Sequence, residues 1–417
     1  MDSLKIGFVG ISHLSMNYMA AALKKGFSVH AFDYDKKLIK KVESKKLIYE
    51  EPNLNKVFQD YKSKIHFSND FRLLRKMNIV YLSKDIKTGK NGNSKLNEIK
   101  KLIKLSLKFL KKSSTLIILS QVPPKFTRKI DFPKSKLYYQ VETLVFGQAF
   151  KRALNPERII VGCTDKSKII SKDYLFYLKK FNCPIIKMSY ESAELTKISI
   201  NLFLASTITS TNVLTKVCEK VDANWNDITP ALKLDKRIGK HAYLKSGLGI
   251  SGGNIERDIT SIKKLLINEK DFRLWPNAID KISTQMKSWV WNTLKKNNLL
   301  IRKNIIGILG LAYKVNTNSI KNSVSIELLK KIKNKIFFYD PKAKLNFKLK
   351  NCIELKKVEL VCKQSNIIIL MTPWPEFKFL NNQINILKRK KVIILDPYKL
   401  LKKEFFFKNK IKYFSIS

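Results

Sequence analysis

The sequence predicts an α/β protein in which two doubly wound, parallel-sheet domains are joined by a helical middle domain. Short, uninterrupted apolar runs alternate with helical patterns at both ends of the chain. A continuous apolar run marks a strand covered on both faces, as in a parallel sheet between two helix layers. From Ser189 to about Lys296 the strand signals stop and helical spacing takes over. A length of 417 residues suggests about three domains at ~150 residues each.

In order, Ile6-Gly7-Phe8-Val9 reads as the first buried strand. Met16 to Lys25 reads as the helix that follows, ended by Gly26 at the C′ position. Val29-His30-Ala31-Phe32, Ile79-Val80-Tyr81-Leu82 and Leu116-Ile117-Ile118-Leu119 are further strands. Right-handed crossovers wind such a series on both faces of one sheet. Ala193 to Lys216 is one long helical pattern, with Leu195, Ile198, Leu202, Leu204, Ile208 and Val213 near helical spacing. It is too apolar for a helix with one face in water and one on a small core, so it is expected to pack across a two-fold axis in a homodimer. More helices follow Asp258. After Lys303 the strands return at Ile305–309, 336–339, 367–370 and 392–395. The expected domains are residues 1–188, 189–296 and 297–417, with no internal repeat and no long linker.

Composition narrows the class. Lys+Arg number 82 against 33 Asp+Glu, a formal charge of +49. With 44% hydrophobic and 11% aromatic residues the chain is no disordered basic tail, and scarce Gly and Pro exclude collagen-like and low-complexity chains. The excess is nearly all Lys and spread along the chain, whereas a nucleic-acid reader concentrates charge and uses Arg forks. Compositional drift is the preferred reading, and nucleic acid is not an expected partner. No apolar run reaches the ~18–20 residues of a membrane span. The opening Met1-Asp2-Ser3-Leu4-Lys5 lacks the pattern of a signal peptide, and five scattered cysteines make no disulfide framework. A cytosolic (cytoplasmic) protein without a membrane association is expected.

Gly10-Ile11-Ser12-His13-Leu14-Ser15 follows the first strand and opens a helix, the place of a dinucleotide-binding G-x-G-x-x-G turn. Only Gly10 is kept. Ser12 stands where backbone approaches a pyrophosphate, and Ser15 where helix and sheet pack. Asp33 ends the second strand near the ~20-residue spacing at which a carboxylate holds a ribose 2′-hydroxyl. Its acidity favours NAD over NADP.

Several later elements, taken in order, resemble the UDP-glucose/GDP-mannose (nucleotide-sugar) dehydrogenase family. Val141-Glu142-Thr143-Leu144-Val145-Phe146-Gly147 is similar to its P-E-F-L-x-E-G, and Asn155-Pro156-Glu157-Arg158-Ile159-Ile160-Val161-Gly162 to its N-P-D-R-[IV]-x-[IV]-G. Glu191-Ser192-Ala193-Glu194-Leu195-Thr196-Lys197 with Asn201 resembles A-E-L-x-K-x-x-x-N, and Leu234-Asp235-Lys236-Arg237-Ile238-Gly239 resembles L-D-x-R-I-G. Gly310-Leu311-Ala312-Tyr313-Lys314, Tyr339-Asp340-Pro341 and Thr372-Pro373-Trp374-Pro375-Glu376-Phe377 resemble its C-terminal elements. The series spans nearly the whole chain.

The resemblance implies an NAD-binding Rossmann-type domain, a helical dimerisation domain and a nucleotide-sugar-binding Rossmann-like domain. It implies two-step oxidation of a sugar C6 alcohol to a uronate, of use in polysaccharide biosynthesis, with two NAD reduced. A thiolate captures the aldehyde, Lys197 and Asn201 stabilise charge on oxygen, Glu142 positions water and Asp258 assists proton transfer. Gly252, Lys314 and Arg237 are the expected substrate-binding residues. Arg237 is equally read as one half of a surface pair.

Three departures stand out. The family's cysteine lies in G-x-G-G-x-C-x-P-K-D, and this chain has Gly249-Ile250-Ser251-Gly252-Gly253-Asn254-Ile255-Glu256-Arg257-Asp258. Asn254 takes the cysteine's place, and an amide is no useful nucleophile toward an aldehyde. Ser83-Lys84-Asp85-Ile86 replaces a G-T-P-like turn beside the cofactor, and Gln121-Val122-Pro123-Pro124 an S-T-V-P element. A second reading is therefore a homologue without catalysis that acts as a sugar-nucleotide-binding or partner protein. Retention of Glu142, Lys197, Asn201 and Asp258 argues for the enzyme. His13, His30, His66 and His241 have no ligand spacing, so no metal is expected.

Overall fold

The computed structural model describes residues 4–44, 51–89, 92–383, 387 and 391–416; residues 1–3, part of the leader reading, lie outside them. The chain divides into two compact units, residues 1–200 and 201–417.

In the first unit the strands are β1 (Lys5–Val9), β2 (Ser28–Phe32), β3 (Ile65–Ser68) and β4 (Ile79–Leu82). A small antiparallel pair follows, β5 (Lys87–Thr88) and β6 (Ser94–Lys95). Then come β7 (Thr115–Ile118), β8 (Leu137–Gln140), β9 (Ile159–Cys163) and β10 (Ile185–Ser189). Eight of them form one sheet in the order β10-β9-β8-β7-β4-β1-β2-β3. The six strands from β3 to β8 are parallel, as the apolar runs of β1, β2, β4 and β7 predict. Every residue of β4 and β7 is buried.

The sheet departs from the purely parallel expectation at β9, which pairs antiparallel with β8 and carries β10 with it. The link from β8 to β9 holds one helix, Ala149–Leu154. Six helical residues advance the chain ~9 Å, less than the ~16 Å that a five-residue strand spans. The helix does not return the chain to the other end of the sheet, and β9 enters reversed.

The long helix spans Tyr190–Cys218, five residues longer in all than its sequence pattern, and crosses the division between residues 200 and 201. The second unit adds helices Trp225–Leu234, Asn254–Leu265, Leu274–Lys287 and Trp289–Lys296. Its strands are β11 (Ile306–Leu309), β12 (Ile336–Tyr339), β13 (Cys352–Glu354), β14 (Ile367–Leu370), β15 (Ile393–Leu395) and β16 (Lys412–Phe414). They form a wholly parallel sheet, β13-β12-β11-β14-β15-β16. Taken along the chain this is the order 3-2-1-4-5-6, and β3-β2-β1-β4-β7-β8 of the first unit repeats it. Both are Rossmann-type sheets, and each has its topological switch at the carboxyl end of its first strand. No helix among the described residues is long and apolar enough to cross a membrane.

Candidate functional site

At the first switch point, β1 is followed by Gly10, whose φ of +92° suits glycine. Its N–H donates to Phe32 O at 2.8 Å, tying the turn to the end of β2. Ser12 caps the helix His13–Lys24. Ser15 Oγ accepts from Ser12 N at 2.8 Å and donates to Ser12 O at 3.0 Å. Ser12 Oγ donates to Ser83 O at 2.9 Å and accepts from Asp85 N at 3.1 Å. Asp33, fully buried, accepts from Ile11 N at 2.9 Å and Asp35 N at 3.1 Å. It also receives the Lys84 ammonium at 3.0 Å. His13, which the sequence marked only as lacking ligand spacing, bonds Glu51 at 2.8 Å and stacks on Phe146 at 4.2 Å. Glu51 also accepts from Gly147 N and Ala149 N.

Glu142 and Lys197, also in the first unit, form an ion pair at 2.9 Å, with side chains 14% and 10% exposed. The second Glu142 oxygen accepts from Leu144 N at 2.9 Å. Removing two charges from water costs free energy that their attraction repays only in good geometry, so this pair is not the cheapest way to pack its surroundings.

In the second unit, Asn201 Nδ2 donates to Asp258 Oδ2 at 2.5 Å, both residues being buried. Arg257 lies 3.7 Å from the other Asp258 oxygen. Lys197 and Asn201 are one turn apart on the long helix. Asp258 sits in the helix Asn254–Leu265, whose first residue, Asn254, is exposed. Gly252 has φ +95°, and a Cβ there would come within 2.4 Å of the Tyr313 ring, so the turn admits no side chain. Glu256 is held by Lys287 and Asn322, each at 2.6 Å.

The second switch point repeats the logic of the first. Gly310 N donates to Tyr339 O at 2.8 Å. Asp340 Oδ2, at the end of β12, accepts from Leu311 N at 2.7 Å, Ala312 N at 3.0 Å and Trp374 Nε1 at 3.1 Å. Lys314 follows this turn, its ammonium 5.7 Å from the Tyr313 ring centroid. Arg237 is exposed and forks onto Asp235 at 3.0 and 2.6 Å within its own loop.

None of the five cysteines lies in the loop 249–258, and burial works against the thiolates of four of them. It pushes Cys362 up to about 12 and Cys352 up to about 11, and raises Cys163 and Cys183.

Sequence profiles of the UDP-glucose/GDP-mannose dehydrogenase family match the chain along its length: the NAD-binding domain at residues 4–177, the central domain at 191–282 and the UDP-binding domain at 307–403. The chain belongs to this family. A UDP-glucose 6-dehydrogenase of Rickettsia typhi is 29% identical over 98% of this chain and 97% of its own. Two solved structures share the fold. A UDP-glucose dehydrogenase from Pyrobaculum islandicum has TM-score 0.84 at 18% identity, covering 99% of this chain and 98% of its own. A UDP-D-ManNAc dehydrogenase from Pyrococcus horikoshii has 0.83 at 21%, covering 99% of both chains. The family's enzymes are NAD-dependent nucleotide-sugar dehydrogenases, and NAD is the cofactor of the first domain.

The residues at the first switch point fit that cofactor. Gly10 carries no side chain into the turn, and Asp33 has about one of its ~four acceptor positions left for a ribose hydroxyl. Gly10, Ser12, Ser15 and Asp33 are the residues that would hold it.

Proposed function

We propose that this protein oxidises the C6 alcohol of a UDP-glucose-like nucleotide sugar. The observation that carries the reading is the Glu142–Lys197 pair at 2.9 Å. An ion pair so largely removed from water, in a place where apolar packing would serve stability as well, is better explained by chemistry than by stability. We assign Lys197 and Asn201 to charge on the C6 oxygen, Glu142 to positioning water and Asp258 to receiving the proton. Gly252, Lys314 and Arg237 are assigned to the nucleotide sugar. NAD, when bound, accepts the hydride. The domains of this reading are residues 1–188, 189–296 and 297–417, in a cytoplasmic homodimer.

In the first step Asp258 would take the proton of the alcohol, while Lys197 and Asn201 would hold the oxygen as the carbon becomes an aldehyde. A second oxidation needs an adduct that again carries hydride. Asn254 supplies no thiolate, so the adduct is the hydrate, formed by water adding to the carbonyl. The second step is correspondingly slow, at about 1.36 kcal/mol per tenfold in rate.

The test is NAD reduction against a panel of UDP-, GDP- and TDP-sugars. Sugar-dependent NADH with at least one of them is expected. Tight nucleotide-sugar binding with no NADH from any of them favours the second reading, a binding homologue, for which the loss of the cysteine at position 254 speaks.

A further inference from the structure

The segment Ser83-Lys84-Asp85 lies in the place where a dinucleotide must come. It follows β4, the strand beside β1 at the switch point. Three sets of contacts hold it there. Ser12 latches its backbone at both ends, donating to Ser83 O and accepting from Asp85 N. The Lys84 side chain fills the space left open by Gly10: a Cβ on Gly10 would come within 2.9 Å of Lys84 Cβ and 3.2 Å of its Cδ. Its ammonium then reaches Asp33 Oδ2 at 3.0 Å and Ile11 O at 3.2 Å. The Asp85 carboxyl group approaches Leu14 N at 3.4 Å, over the first turn of the helix His13–Lys24.

The amides at the start of this helix are consequently engaged by the chain itself. Ile11 N serves Asp33, Ser12 N serves Ser15 and Leu14 N faces Asp85. Free amides and the positive end of the helix dipole are what attract a pyrophosphate to such a terminus. A carboxylate already there competes for the amides and repels the incoming anion. Lys84 has a separate effect. A free Asp33 accepts ribose hydroxyls and repels a 2′-phosphate, but an Asp33 paired with an ammonium does both less strongly.

We propose that Lys84 and Asp85 form a built-in occupant of the dinucleotide cradle and set both its affinity and its selectivity. Asp85 holds the pyrophosphate position and Lys84 competes for the ribose acceptor, so the cofactor binds by displacing Asp85 and by sharing Asp33 with Lys84. This rests on the NAD-binding assignment of the first domain and not on sugar oxidation.

The experiment is calorimetric titration of the intact protein and its Lys84→Ala, Asp85→Ala and Asp85→Asn variants with NAD and NADP, with melting temperatures recorded alongside. Asp85→Ala and Asp85→Asn should each tighten both cofactors by roughly tenfold, the scale of one charge at a helix terminus. Lys84→Ala should tighten NAD and widen its margin over NADP, a ratio that a merely structural lysine would not move. Binding by the variants where the parent binds nothing measurable also supports the proposal. Unchanged or weaker NAD binding in folded Asp85 variants overturns it, as does absence of binding in every form. Failure of sugar oxidation is read separately, by the NADH assay, and leaves these affinities standing.

Discussion

Asn254 opens a helix and is exposed, where the sequence resemblance places the family's cysteine. Hydride transfer from an alcohol requires a base and an aligned acceptor, but no thiolate, so the first oxidation survives this residue in principle. On the proposed reading the second finds no thiolate at position 254 to form a covalent adduct and depends on hydration of the aldehyde. Turnover is therefore expected to stall at the two-electron stage, with about one NADH formed per sugar consumed. Asn254→Cys should move that ratio toward two, provided that Glu256, fixed by Lys287 and Asn322, still lets the loop admit the aldehyde. The measurement is NADH by absorbance against sugar by chromatography. A ratio of two in the parent protein at an ordinary enzymatic rate would show that the position does not govern the second step.

At the scale of elements, burial explains part of what was legible. Ile79–Leu82, Ile336–Tyr339 and Ile367–Leu370 coincide with their apolar runs because both faces are covered. Leu137–Gln140 and Ile159–Cys163 are wholly buried and still are not among the strands that the sequence predicts, and the other strands that left no such signal lie toward the margins of the sheets. Ile65–Ser68 and Ile185–Ser189 carry polar, part-exposed positions, and Cys352–Glu354 and Lys412–Phe414 are three residues long. The site divides the same way. Motif frames pointed to Glu142, Lys197, Asn201 and Asp258, but partners far apart in sequence left no local pattern. His13 with Glu51 and Lys84 with Asp33 are such pairs. The edge pairing of β2 with β3 carries its own prediction. His30 stands opposite His66, rings stacked at 4.9 Å. Burial first, then His66 and Lys5, lowers the His30 imidazole from 6.5 to about 4. Below pH 6.5 the unfolded chain takes up this proton before the folded one does, so stability is lost as pH falls from about 6.5 to about 4. His30→Gln should flatten the melting temperature across that window relative to the parent. An identical slope in both would remove His30 as the cause.

For the whole molecule, two properties oppose each other. A charge of +49 makes every copy repel every other, over a range of ~8 Å at physiological salt and further when salt is low. Against it stands the apolar surface of the long helix. Phe203 is 77% exposed, and Leu195, Val213, Leu214 and Val217 on the same helix are between 39% and 47% exposed. Full burial of such a side chain is worth about 1.5–3 kcal/mol, and a row of them left in water along one helix calls for a cover. A second copy is the occupant that the chain itself always supplies, and a two-fold axis lets one self-complementary surface serve both subunits. The expected state at micromolar concentration and physiological salt is a dimer that loosens as salt is lowered, the reverse of what a nucleic-acid complex of the same charge would do. Phe203→Asp should shift it to monomer without altering the far-ultraviolet circular dichroism, since that ring contributes little to the chain's own core. Light scattering across a salt series decides the matter: a parent protein that is monomeric throughout removes the dimer and leaves the exposed face to be explained in another way.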